Sequence, residues 1–308
     1  MINKNNLQIR ADLEIPISFN TSEIYSKPFL KWVGGKTQII QEIEKNLPLS
    51  YSRYFEPFLG GGAVFFRLIP KNKKAYLSDI NRNLVDAYSD IKNRIYEVMF
   101  HLDKISGSFV NLTSKKSRND YFLKIREKYN SMIDSHENSP LRTAQLIFLN
   151  KTCFNGMYRE NSKGHFNVPF GNTKNSNSVA RSNILAVSRD LQGKRIINNG
   201  FEYVLKYAKK NDFIYFDPPY CPLKANQAFT KYHSSDFGKD DHQKLANVFY
   251  ELDKRGCFVM MSNSDIKFIR DLYKKYNKYT VVVNANRNIN CKGNLRKPVK
   301  EVLIKNYL

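Results

Sequence analysis

The stretch Tyr54-Phe55-Glu56-Pro57-Phe58-Leu59-Gly60-Gly61-Gly62-Ala63-Val64-Phe65-Phe66 decides the fold. A short strand-forming run meets three glycines and then a second apolar run, the pattern of a strand turning tightly into a helix. Similar β-rich runs recur at Ala75-Tyr76-Leu77-Ser78-Asp79, Arg195-Ile196-Ile197, Phe213-Ile214-Tyr215-Phe216 and Cys257-Phe258-Val259-Met260-Met261. Thr280-Val281-Val282-Val283 and Val302-Leu303-Ile304 close the chain. Helix-like stretches cover 36–45, 84–102, 242–254 and 266–273. This alternation predicts a doubly wound α/β fold: a mostly parallel sheet covered on both faces, ending in an antiparallel hairpin.

The alternation breaks between about 91 and 190, where the chain is basic and rich in Asn and Ser. We read that stretch as an inserted, mainly helical domain. Residues 1–27 read as an extension, and 28–90 with 191–308 as the α/β domain.

The 308 residues are 42% hydrophobic, which argues against a disordered chain and for a substantial core. The 50 Lys and Arg against 28 Asp and Glu leave a net charge of +22, which attracts a polyanion such as nucleic acid. No long basic amphipathic stretch points to a membrane surface, and no apolar run approaches a membrane span. Cys153, Cys221, Cys257 and Cys291 lie far apart with no CxxC pair, so they read as buried thiols of a reducing compartment and not as a zinc site. The first residues lack the apolar core of a signal peptide, and the expected setting is the cytoplasm, on the nucleoid.

Three motifs carry chemistry. After the glycine turn, Asp79 ends the next strand 19 residues beyond Gly60, a spacing that suits a carboxylate gripping a ribose. The spacing does not distinguish a nicotinamide dinucleotide from S-adenosylmethionine. The second motif, Phe29-Leu30-Lys31-Trp32-Val33-Gly34-Gly35-Lys36-Thr37, contains GlyLysThr but has Leu30 where a phosphate loop needs glycine. Trp32 can stack on an adenine or sit in a core. Lys36 can pair with a carboxylate or remain solvated.

The third motif is Asp217-Pro218-Pro219-Tyr220, placed directly after a strand. The exocyclic amine of adenine is a poor nucleophile because its lone pair is delocalised into the ring. A carboxylate accepting one N–H and a proline carbonyl accepting the other favour a more tetrahedral nitrogen. An aromatic residue stacks on a base that has left its duplex.

Taken together, the blocks PheLeuLysTrpValGlyGlyLys, PheGluProPheLeuGlyGlyGlyAlaVal, LeuSerAspIleAsn, ThrCysPheAsnGlyMetTyrArg, GlyHisPheAsnValProPheGly, AspProProTyr and IleAsnCysLysGlyAsn resemble the Dam-type DNA adenine-N6 methyltransferases. They run from about Pro28 to the C-terminus. The resemblance implies a Rossmann-like methyltransferase domain with a target-recognition domain at 91–190. It implies S-adenosylmethionine as methyl donor, no metal, and a monomer acting on double-stranded DNA, beside a cognate restriction endonuclease or alone.

By position, the resemblance places Trp32, Lys36, Phe58, Gly60, Asp79 and Asp217 at the methyl donor. It places Asp217, Pro218, Pro219 and Tyr220 at the flipped adenine, and Lys31, Phe154, Asn155, Met157, Arg159 and Pro169 at the DNA. It implies a GATC target. Asn172-Thr173 stands where relatives often carry Arg and an aromatic residue, a departure that bears on a phosphate contact of the family and on the exact target. Lys31 and Arg159 are candidate guanine readers, with phosphate contact or a solvated charge as the alternatives. The competing functions are a non-catalytic DNA-binding module of the same fold and a methyltransferase acting on RNA or a protein amide.

Overall fold

A computed structural model describes residues 26–173, 181–221, 237–285 and 299–308. The block IleAsnCysLysGlyAsn, Cys291 and most of the N-terminal extension lie outside them. The described chain forms two compact units. One holds residues 26–33, 82–173 and 181–192; the other holds 34–81, 193–221, 237–285 and 299–308.

The second unit is built on a seven-stranded sheet. Its strands are β1 (Tyr54–Glu56), β2 (Ala75–Asp79), β3 (Arg195–Asn198), β4 (Phe213–Phe216), β5 (Phe258–Ser264), β6 (Val281–Ala285) and β7 (Val299–Lys305), in the order β3-β2-β1-β4-β5-β7-β6. The first five are parallel. β7 runs antiparallel to both β5 and β6, as expected of the chain's end. β4 reads PheIleTyrPhe and is buried on both faces, the signature of a central parallel strand. β3, at the edge, keeps Arg195 and Asn198 exposed.

Strand order reverses between β1 and β4. From β1 the chain steps outward through β2 to β3; from β4 it steps the other way to β5. Such a switch opens a crevice at the carboxyl ends of the two strands, and open α/β sheets bind ligands there. Phe55, Ile214, Phe216, Val259 and Met261 form the core on one side with Leu245, Phe249 and Leu252 of a long helix at Lys239–Lys254.

The first unit is helical. Its helices are α3 (Arg82–Asn93), α4 (Ile95–Val110), α5 (Lys115–Asp134), α6 (Pro140–Thr152) and α7 (Arg181–Leu191); α1 (Ile40–Lys45) and α2 (Ala63–Leu68) belong to the sheet unit. The single helix expected over 84–102 is broken at Arg94, whose φ of −132° is not helical. The guanidinium of Arg94 folds back onto Asp90, a buried carboxylate that also accepts from Thr143. The stretch expected as a helix over 36–45 is a 3₁₀ turn at Lys36–Gln38 followed by α1. α6 is buried on nearly every side and is the spine of its unit. Ser139 caps it and Pro140 occupies its first turn, where the missing N–H costs no helical bond.

Candidate active site

The glycine turn and the tetrapeptide both emerge at the reversal. Residues 57–62 leave the carboxyl end of β1, and Asp217 follows the last residue of β4. Gly60 and Gly62 adopt φ of +48° and +69°, a region that disfavours any residue with a Cβ. The amide of Gly60 donates to Oδ2 of Asp79 at 3.0 Å, and the amide of Asn81 donates to Oδ1 at 2.9 Å. The Asp79 carboxylate is thereby held at the end of β2.

Phe58 lies against Phe201 with ring centroids 5.6 Å apart and planes 22° from parallel, and Phe237 meets its edge at 5.7 Å. The sequence reading did not single out Phe201; it follows β3 after a glycine, which is the only signal it offers. A carboxylate, a glycine turn with positive φ and a cluster of aromatic rings meet at the carboxyl ends of β1 and β2, a chemistry that suits an adenosine.

Asp217 is the centre of the second cluster. The ammonium of Lys36 lies 2.6 Å from Oδ1, and Ser262 in β5 donates its hydroxyl to the same oxygen at 2.9 Å. Oδ2 has no hydrogen-bond partner among the described residues. Burial raises the Asp217 pKa above the usual carboxylate value, and Lys36 and Ser262 pull against that rise. The Lys36 ammonium also donates to the carbonyl of Gly34 and sits 4.7 Å from the centroid of the Tyr220 ring. Lys36 is only 7% exposed, so the GlyLysThr run spends its cation on a carboxylate.

Behind the cluster, Glu56 of β1 is buried, and burial pushes its carboxyl up to about 8 against the opposing bond from the Tyr54 hydroxyl at 2.7 Å. The arrangement presents one ionic oxygen fixed by two donors, a second oxygen open to a new donor, and an aromatic ring beside them.

The other candidates lie in the helical unit. Trp32 stacks on Tyr158 at 4.5 Å, so one face of the indole is already covered there. Lys31, Phe154, Asn155, Met157, Arg159 and Pro169 gather around a turn after α6. Phe154 is 46% exposed, Asn155 and Gly156 adopt φ of +56° and +63°, and the Phe154 amide donates to the Pro169 carbonyl at 2.9 Å.

Asn150, fully buried in the last turn of α6, fastens Lys31 to this turn. Its Oδ1 accepts from the Lys31 amide at 2.8 Å, and its Nδ2 donates to the Lys31 and Gly156 carbonyls at 3.0 and 3.2 Å. A Cβ at Gly156 would stand 2.8 Å from Cδ of Lys31. Arg159 is held by Asn167, with Nε to Oδ1 at 2.7 Å and Nη2 to the carbonyl at 3.2 Å. That leaves the Nη1/Nη2 end of the guanidinium facing outward from the bond as a donor pair. Neither Asn150 nor Asn167 could be singled out from sequence, since their roles depend on a partner brought close by folding.

The described cysteines are free and buried, and burial pushes the Cys153 thiol up to about 12. No helix among the described residues is long and apolar enough to cross a membrane, and no metal-holding group of side chains occurs among them.

Comparison with known proteins points the same way. The sequence model described as "D12 class N6 adenine-specific DNA methyltransferase" matches residues 32–289. The chain is 44% identical over 290 residues to the type II methyltransferase M.MjaIII of Methanocaldococcus jannaschii, covering 91% of this chain and 99% of that one. It is 34% identical to the type II methyltransferase M1.LlaDCHI of Lactococcus lactis, covering 93% and 97%. It is 32% identical to a DNA adenine methylase of Vibrio cholerae, covering 90% and 95%.

Proposed function

Because this chain belongs to the D12 class N6 adenine-specific DNA methyltransferases, we propose that it takes an adenine out of duplex DNA and methylates its N6 at Asp217-Pro218-Pro219-Tyr220, within GATC. The observation that carries the reading is the asymmetry of Asp217. Lys36 and Ser262 both bind Oδ1, which leaves Oδ2 to accept an N6–H. The carbonyl of Pro218 is suited to the other N6–H, and the Tyr220 ring to the face of the base. Two acceptors aimed at the amine draw its hydrogens out of the ring plane and return the lone pair to nitrogen. Lys36 opposes the pull of burial toward the neutral acid at Asp217. The same carboxylate would stabilise positive charge developing on N6 and accept the proton that N6 gives up.

The sheet edge fits S-adenosylmethionine, which when bound supplies an electrophilic methyl group. Asp79 would hold the ribose hydroxyls, Gly60 would let the backbone approach, and Phe58 would face the purine. Trp32 is given to the same donor by the family resemblance alone.

The helical unit would read the DNA. Phe154, exposed on a strained turn, suits the gap left by an extruded base, with Asn155, Met157 and Pro169 shaping that turn. The free end of Arg159 matches the O6 and N7 acceptors of a guanine, and Lys31 supplies a second reader for the guanine of the opposite strand. GATC carries one guanine on each strand. A partner endonuclease cutting the same site accords with the type II names of two relatives. The setting is the cytoplasm, where the net charge of +22 favours residence on DNA.

The test is transfer of radiolabelled methyl from S-adenosylmethionine to unmethylated and to GATC-premethylated duplex DNA, with sequencing of the modified bases. Label in GATC adenines of the first substrate alone is the expected result. Equal label in both, or label in RNA, removes the proposed target.

A further inference from the structure

The hydroxyl of Tyr220 donates to Oε2 of Glu301 at 2.8 Å. Stacking on a base needs only the ring, so this bond is surplus to the role given to Tyr220 above. Glu301 belongs to β7, which lies between β5 and β6, and its place there is fixed from both sides. It pairs with Ser264 of β5 and with Val283 of β6.

β5 also holds the chain just beyond the tyrosine. Ser264 donates its hydroxyl to the Cys221 carbonyl at 2.9 Å, and the Cys221 amide lies 3.4 Å from Oδ1 of Asn263. The backbone after Tyr220 and the tip of its side chain are therefore tied to neighbouring strands. The phenol oxygen lies on the axis of the tyrosine's second torsion, so these two ties fix the first torsion and the line of the ring, not its plane. The Lys36 ammonium, 4.7 Å from the ring centroid, adds a third restraint.

We infer that Glu301 is a positioning residue that fixes where the Tyr220 ring lies, with the Lys36 ammonium near its centroid, before the base arrives. This rests on the reading that Tyr220 receives an extruded adenine. A ring already held in place has less freedom to lose when the base docks, so the tether favours the extruded state over the stacked one. Glu301 touches no reacting atom. Its effect passes entirely through the tyrosine, which predicts that loss of either end of the bond does the same damage.

The experiment uses the full chain and a GATC duplex with 2-aminopurine at the target adenine, whose fluorescence rises on leaving the stack. Turnover on the natural duplex and melting temperature are followed in parallel. Y220F and E301L should each lower the fluorescence gain and kcat about tenfold, the scale of a lost bond to a charged group. The double variant should be no worse than either alone. E301Q keeps an acceptor oxygen and should stay within about twofold of the parent. A loss of folding alone would lower the melting temperature without this pattern across the four proteins.

Normal extrusion by Y220F or E301L would overturn the tether, as would a double variant whose loss is the product of the two singles. Adenine methylation by the parent with no fluorescence rise would instead overturn the extrusion reading, and the tether with it. Failure of the parent to methylate adenine at all would sink the proposed function. The three failures are distinguishable.

Discussion

The ammonium of Lys36 lies 2.6 Å from Oδ1 of Asp217, joining the glycine-rich entry motif to the tetrapeptide after β4. The proposed mechanism needs Asp217 as an acceptor, and this ion pair favours its ionised form. Asp217→Ala should reduce methyl transfer by about 10²–10³ or more while leaving much of the DNA affinity. Single-turnover rates beside DNA binding would show it, and near-parental turnover would remove Asp217 from the chemistry.

The same pair makes a pH prediction. Burial raises the Asp217 pKa and Lys36 lowers it, so removing Lys36 lets the rise go unopposed. Lys36→Met should move the acid limb of the rate profile to higher pH, because the carboxylate, not the acid, accepts the N6–H. An unmoved acid limb would show that a different group titrates there.

Glu56 should make stability fall as pH rises. Its folded pKa is pushed up to about 8 from 4.5. Between those values the folded state holds a proton that the unfolded state has lost, so stability decreases with pH through that window. The limiting slope is about 1.4 kcal/mol per pH unit. Glu56→Gln cannot ionise and should flatten the curve between about pH 5 and 8. Chemical denaturation across that range would check it, and an unchanged slope would show that Glu56 is ionised when folded.

Arg159→Ala should relax discrimination at the fourth base pair of GATC and Lys31→Ala at the first, each by about 1–3 kcal/mol. Asn167→Ala should resemble Arg159→Ala in milder form, since it frees the guanidinium without removing it. Relative kcat/KM on GATC and its single-base variants is the measurement. Uniform weakening across all sequences, with a flatter salt dependence, would mean that these cations hold phosphates.

Gly156→Ala should damage the Lys31 side of recognition without touching the tetrapeptide. The new Cβ would stand 2.8 Å from the Lys31 side chain, on backbone with φ of +63°. The strain is of order 1–3 kcal/mol. We expect a lowered melting temperature and relaxed discrimination at the first base pair, with kcat on GATC little altered. A fall in kcat with specificity intact would place the turn elsewhere in the mechanism.

The seven strands were legible because their signals are local. PheIleTyrPhe is apolar throughout because both its faces are covered, and ArgIleIleAsn is polar at its ends because β3 is an edge. The break at Arg94 was not legible. Nothing between 84 and 102 interrupts helix propensity, and the break goes with a bond to Asp90, a carboxylate that also serves Thr143 on a different helix. The glycines of the β1 turn and the Asp-Pro-Pro-Tyr run were legible for a similar reason. Backbone that must approach a ligand or adopt positive φ restricts the residue at each position, whatever lies across from it.

The sequence by itself determined the α/β alternation, the family blocks, the basic charge and the identity of the residues at the carboxyl ends of β1, β2 and β4. Tertiary structure alone decided which partners those residues have. That Lys36 and Ser262 share one oxygen of Asp217, that Glu301 holds Tyr220, and that Asn150 fastens Lys31 to Gly156 follow from strand order and helix packing. Propensity and motif spacing act over a few residues. A hydrogen bond between distant segments depends on where the whole chain brings them, and serines, glutamates and asparagines look alike in sequence whether they face solvent or an active carboxylate.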